Sequence, residues 1–124
     1  MLKWGSLILG GTLGTLARFV LAGFIYRIWG TAFPYGTLVV NLTGCFLIGI
    51  LAVLSEEKFI LGPAGRIFLM IGFCGAFTTF STFILETANL MKDGENARAF
   101  ANVLLSVLLG FAALRLGIVV ARIV

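Results

Sequence analysis

The chain has 124 residues, 60% of them hydrophobic, and a formal net charge of +4. A mean hydropathy of +1.14 means more apolar surface than a water-soluble core of this length can hide, which excludes a soluble domain and leaves an integral membrane protein. There is no histidine, and of the five carboxylates only Glu86 falls within an apolar run, so the usual general acids, bases and metal ligands are missing from the interior and no enzyme is expected.

The basic residues stand singly at the ends of apolar runs, unlike the clustered cationic patch of a nucleic-acid-binding surface. Four spans are expected in one membrane domain covering residues 1–124, at about 4–29, 34–54, 66–90 and 97–122. A helix needs about 20 mostly apolar residues to cross a bilayer, so each run suffices and the fold class is all-α. Lys3 and the apolar run from Trp4 to Ala17 have the outline of a signal peptide. No small-x-small cleavage site follows, and the apolar pattern resumes after Arg18, so this is read as a retained first span. Cys45 and Cys74 lie in apolar runs without a CxxC partner and are read as small hydrophobes.

Small and polar residues recur at spacings of three and four, which places them on single helix faces. Ser6, Gly10, Gly14, Arg18 and Ala22 share a face of the first span, Thr37, Asn41 and Gly44 one of the second, and Asn102, Ser106, Gly110, Ala113 and Gly117 one of the fourth. Small residues let membrane helices approach closely, and polar ones turn away from lipid. Packing accounts for the glycines. It does not account for Asn41, Asn102 and Ser106 beside a hydroxyl-rich third span, which point to a wet path shared between subunits.

The third run holds Gly72 to Phe83, G-F-C-G-A-F-T-T-F-S-T-F. Glycine weakens a helix, and hydroxyl side chains can bond backbone groups that a broken helix leaves open, so a break is expected near the middle. If the helix resumes at Thr79, then Thr79, Thr82, Glu86 and Asn89 form one polar stripe, flanked by Phe80 and Phe83. Aromatic rings have negative faces and positive edges, so rings held edge-on suit a small anion. Asn41 offers an amide donor and Ser106 a hydroxyl donor. At the break, the carbonyls of Gly75 and Thr78 need a partner, and with no carboxylate nearby a monovalent cation such as Na⁺ suits them better than a divalent one.

Four spans put both termini on one side. That side carries Lys3, Lys58, Arg66 and Arg122, against Arg27, Lys92 and Arg98 on the other. Orientation follows the Lys and Arg bias near span ends. Four against three is almost no bias, so the chain is expected to insert both ways and to form an antiparallel, dual-topology homodimer.

The third-span motif, with G-T-L-V-V-N-L-T-G in the second span and G-T-L-G-T-L-A-R-F in the first, resembles the Fluc (CrcB) fluoride channels of bacteria. The resemblance covers the whole chain. It implies a passive fluoride-selective channel of the bacterial inner membrane that exports cytoplasmic fluoride and confers fluoride resistance, built as an antiparallel dimer with two pores and a central structural Na⁺. It further implies that Phe80 and Phe83 line the pore edge-on to fluoride and that Asn41 faces the ion. Ser81, Thr82, Asn102 and Ser106 would belong to a polar track, and the carbonyls of Gly75 and Thr78 would hold Na⁺. Arg18 and Glu86 take vestibule or structural roles. The alternative is a small dual-topology multidrug exporter, which needs a carboxylate deep in the first span; Arg18 and no acid stand there.

Overall fold

The computed structural model describes residues 1–124 and contains helices without strands. Four helices are long and apolar enough to cross a membrane: Leu2–Trp29, Tyr35–Glu57, Pro63–Lys92 and Asn96–Ile123. The third is in two halves, the second of which is Phe80–Lys92. The connections at 30–34, 58–62 and 93–95 are short, which makes successive spans antiparallel. Gly30 and Gly94 turn the first and third of these with φ of 81° and 79°, a left-handed backbone that glycine adopts freely. At the first connection Trp29, Phe33 and Tyr35 pack ring against ring, the kind of aromatic cluster that settles at a membrane–water boundary.

Two pairings dominate the packing. The first span lies along the first half of the third, and the second span along the fourth. The first and fourth spans use the glycine faces read from the sequence; the second meets the fourth through Phe46 and Gly49, off the Thr37–Asn41–Gly44 face. A Cβ on Gly10 would land on the Phe68 carbonyl, and one on Gly14 on the Phe73 carbonyl. Across the other pair, Gly117 meets the Phe46 carbonyl and Gly49 that of Leu114. Backbone is therefore in contact with backbone, the packing that small residues permit in lipid.

The third span departs from α geometry where it meets those glycines. Residues Ile67–Cys74 form a wider π-helical stretch. A four-residue step on the first span, Gly10 to Gly14, thereby faces a five-residue step on the third, Phe68 to Phe73. The last turn of the second span, Val53–Glu57, also widens to π. Such bulges recur at functional sites.

The glycine seam can be tested by substitution. Gly14→Val should destabilise the chain by about 1–3 kcal/mol or more through overpacking against backbone, whereas Gly23→Ala, with nothing within 4 Å of the added carbon, should be neutral. Reversible unfolding in detergent micelles measures both.

Candidate functional site

The site is built around the gap between the two halves of the third span. Thr78 and Thr79 are extended, with φ/ψ of −83°/157° and −148°/112°. The Thr78 N–H still donates to the Cys74 carbonyl at 3.1 Å, but the N–H and carbonyl of Thr79 leave the helical ladder at membrane depth, where lipid offers no replacement. Asn41, on the second span, supplies one. Its Nδ2 donates to the Thr79 carbonyl at 3.0 Å, and its Oδ1 accepts the Thr79 N–H at 2.8 Å. A carboxamide is the one uncharged side chain that presents a donor and an acceptor side by side.

Each helix end at the gap is also capped. Thr79 is the N-cap of the second half, its Oγ1 accepting the Thr82 N–H at 3.3 Å and donating to Thr82 Oγ1 at 3.0 Å. The helix resumes at Phe80, one residue later than the stripe read from the sequence assumes. On the other side, Arg18 Nε donates to the Ala76 carbonyl at 3.1 Å. A cation there complements the negative end of the first half. Gly44 leaves room for the Thr78 side chain; a Cβ on it would strike the Thr78 methyl.

A cavity of about 440 Å³ opens beside the gap, lined among others by Asn41, Gly75, Thr78, Phe80, Phe83 and Ser106. The Phe80 and Phe83 rings stand 5.8 Å apart, tilted by 54°. Phe83 is 7% exposed and Phe80 74%, so Phe80 marks the open side of the cavity.

The donors can be accounted for one by one. The hydroxyls of Thr43, Thr78 and Thr87 donate to carbonyls four residues back and have nothing left to give. The Ser106 hydroxyl is buried without a partner. Thr82 Oγ1 accepts from Thr79, which leaves its own proton uncommitted. Asn41 has one amide hydrogen beyond the one given to Thr79. Two of these, Ser106 and Asn41, line the cavity with Phe80 and Phe83; Thr82, predicted for the same track, is not among its lining residues. The complementary species is an anion.

The remaining predicted residues lie elsewhere. Asn102 is 1% exposed and donates to Thr87 Oγ1 at 2.9 Å; Thr87 in turn donates to the Phe83 carbonyl at 2.7 Å. Asn102 thus fixes the backbone behind Phe83 rather than lining the cavity. Glu86 faces a second cavity of about 430 Å³, accepting from Tyr26 Oη at 2.9 Å and from Thr37 Oγ1. Ser81 is exposed and lines neither cavity. Thr87 and Tyr26 escaped the sequence reading although both carried the signal used for their neighbours. Thr87 is four residues beyond Phe83, and Tyr26 continues the step of four that runs from Ser6 to Ala22.

For a cation at the gap, the chain offers uncharged oxygen alone, from carbonyls and hydroxyls. No Asp, Glu or His lines the central cavity. Thr78 belongs to neither helical half, and Gly75 is exposed on the cavity's wall. A hard monovalent ion fits that donor set, and a divalent one lacks the carboxylates it needs.

Residues 6–118 match the family model described as CrcB-like protein, Camphor Resistance (CrcB). The chain belongs to the CrcB-like family. It is 48% identical over 122 residues to the fluoride-specific ion channel FluC of Desulforapulum autotrophicum, covering 98% of both chains. Identity to the protein of the same name from Geobacter metallireducens is 49% over 122 residues, again 98% of each. For that of Solidesulfovibrio magneticus it is 44%, with the same coverage. The resemblance read from the third-span motif thus extends over nearly the whole chain.

Asn41→Ala would strand both backbone groups of Thr79. We expect it to cost about 1–3 kcal/mol for each group left unpaired, read as a lower melting temperature in detergent. Asn41→Asp keeps the acceptor but loses the donor and sets a carboxylate against a carbonyl, so it should not rescue.

Proposed function

We propose that the chain is a passive fluoride-selective channel of the bacterial cytoplasmic membrane that releases cytoplasmic fluoride and so confers fluoride resistance. The observation that carries this reading is the pair of uncommitted donors lining the central cavity, the Ser106 hydroxyl and the second amide hydrogen of Asn41, with Phe80 and Phe83 on the same wall. The names of the FluC relatives support the choice of ion.

Fluoride crosses membranes as neutral HF and ionises inside, where the anion is trapped. A passive lane lets the anion leave down its electrochemical gradient. Stripping water from a small anion is costly in a low-dielectric site unless hydrogen bonds replace the hydration shell. Hydroxyl and amide donors do that, and ring edges add a weaker positive field. Chloride, larger and a weaker acceptor, gains less from a narrow lane and loses the selection. Coupling to protons is not required. The one carboxylate away from the span ends, Glu86, is bonded to Tyr26 and Thr37 and lies outside the lining of the central cavity.

The working unit in this reading is an antiparallel homodimer. One chain alone leaves Gly75 and the Phe80 side of the cavity exposed, and irregular backbone at membrane depth must be covered by protein or by a wet cavity. A second copy inserted head to tail would supply the cover and close the lane. The carbonyls of Gly75 and Thr78 would hold a structural Na⁺ where the two copies meet. When bound, that ion supplies a fixed positive charge and satisfies carbonyls that have left the helical ladder.

Liposomes holding the purified protein should release fluoride and not chloride; equal release of both would overturn the reading. Phe80→Ile and Phe83→Ile should each lower fluoride flux at least about tenfold, a loss of about 1.4 kcal/mol of stabilisation along the path, with dimers still formed on gel filtration. A C-terminal tag should be reachable from both faces of the membrane; labelling from one face alone would rule out dual topology. Replacing Na⁺ by a bulky organic cation should lower the melting temperature of the dimer.

A further inference from the structure

The turn between the second and third spans holds a cavity of about 680 Å³ that shares no lining residue with the central one. Glu56, Phe59 and Arg66 line it together with Ser55, Ile67 and Ile71. Four features of this cavity bear on what it holds. Ser55 is 4% exposed, yet its hydroxyl has no hydrogen-bond partner. Elsewhere in these helices Thr12, Thr43 and Thr87 bond the carbonyl four residues back; Ser55, in the widened turn Val53–Glu57, does not. A buried hydroxyl left alone is unfavourable, so it marks a missing partner.

Glu56 and Arg66 line this one cavity without pairing to each other. The ion pairs of the chain are Arg98–Glu95 and Arg122–Glu57. A negative and a positive group therefore face a common space with a gap between them. Polarity also runs in one direction. Arg66 stands at the start of the third span, Ile67 follows it, and Ile71 lies about one turn deeper toward the hydrocarbon. The Phe59 ring, 82% exposed beside this opening, sits on a backbone with φ of 53°, rare for a non-glycine residue.

We propose that this cavity binds the headgroup of one ethanolamine phospholipid taken from the surrounding membrane. The phosphate accepts hydrogen bonds from the Arg66 guanidinium and the Ser55 hydroxyl. The primary ammonium donates to the Glu56 carboxylate, and one acyl chain follows Ile67 and Ile71 down the third span. A zwitterionic headgroup matches one cation and one anion across a gap. A phosphoglycerol headgroup has no cation for Glu56, and a choline headgroup has no N–H to donate. The apolar wall selects lipid over a free phosphate. None of this rests on which ion the central cavity conducts.

Native mass spectrometry of the full chain, released from nanodiscs of equal parts ethanolamine, glycerol and choline phospholipid with matched acyl chains, tests the assignment. One ethanolamine lipid per chain should be retained about tenfold over the other two. Arg66→Gln and Glu56→Gln should each abolish the preference, and Ser55→Ala should weaken it about threefold. Arg66→Lys, which keeps the charge and loses the planar fork, should keep part of it. Melting temperatures and gel filtration confirm that each variant is folded. Equal retention of the three lipids, or a preference that survives both charge substitutions, would overturn the proposal. So would soluble glycerophosphoethanolamine occupying the site as tightly as the lipid, since that would assign it to a free headgroup phosphate.

Discussion

A helix broken inside a membrane must have its open backbone groups satisfied from elsewhere in the protein, and the rest of this chain is arranged around that requirement. At Thr79 both the N–H and the carbonyl are out of the ladder, and a single amide, Asn41, pairs with both. The match is stereochemical as well as electrostatic. An ester or a hydroxyl could not present donor and acceptor at peptide spacing, and a carboxylate would present two acceptors. Asn41 is thus the bolt between the second and third spans. Its role in holding the gap comes before any role in touching an ion.

Once the gap is held, the surrounding packing follows from the need to bring backbones close. Gly44, one turn from Asn41, admits the Thr78 side chain, so the face that carries the amide also receives the extended residue beside it. The first span reaches the same region from the other side, with Gly10 and Gly14 against the third-span carbonyls and Arg18 on the carbonyl of Ala76. The glycine seam and the arginine are parts of one arrangement. The seam sets the depth at which Arg18 meets the end of the first half, and the guanidinium satisfies a carbonyl that a continuing helix would have used.

Much of this was legible in the residues because membrane helices sort polar from apolar by face. The steps of four in the first and fourth spans marked the contacting surfaces, and Gly72 to Phe83 marked a break. What stayed hidden were the relations between spans. Spacing can place Asn41 on a face but cannot say that it bonds Thr79. It can place Asn102 beside Ser106, yet Asn102 turns out to brace Phe83 through Thr87 while Ser106 keeps a free hydroxyl. The π-helical stretch over Ile67–Cys74 was invisible for a related reason. It arises from the register between two helices, Gly10 and Gly14 against Phe68 and Phe73, and no periodicity within one helix records it.

An anion lane would need two chains because one chain has too few free donors to surround an ion. Each hydroxyl that donates into its own helix is lost to the path, so a single chain keeps few free donors, and those of Ser106 and Asn41 line the cavity whose open side Phe80 marks. A lane with one polar wall and one lipid wall would leave an ion half solvated. A head-to-tail pairing returns the middle of the membrane to itself while exchanging the two ends, so the gap of one copy meets the gap of the other at equal depth. The near balance of cationic residues at the two ends of the spans gives little bias toward either insertion, as such a pairing would require. In such a pair the broken helix, which is a liability in one copy, becomes the surface by which two copies recognise each other.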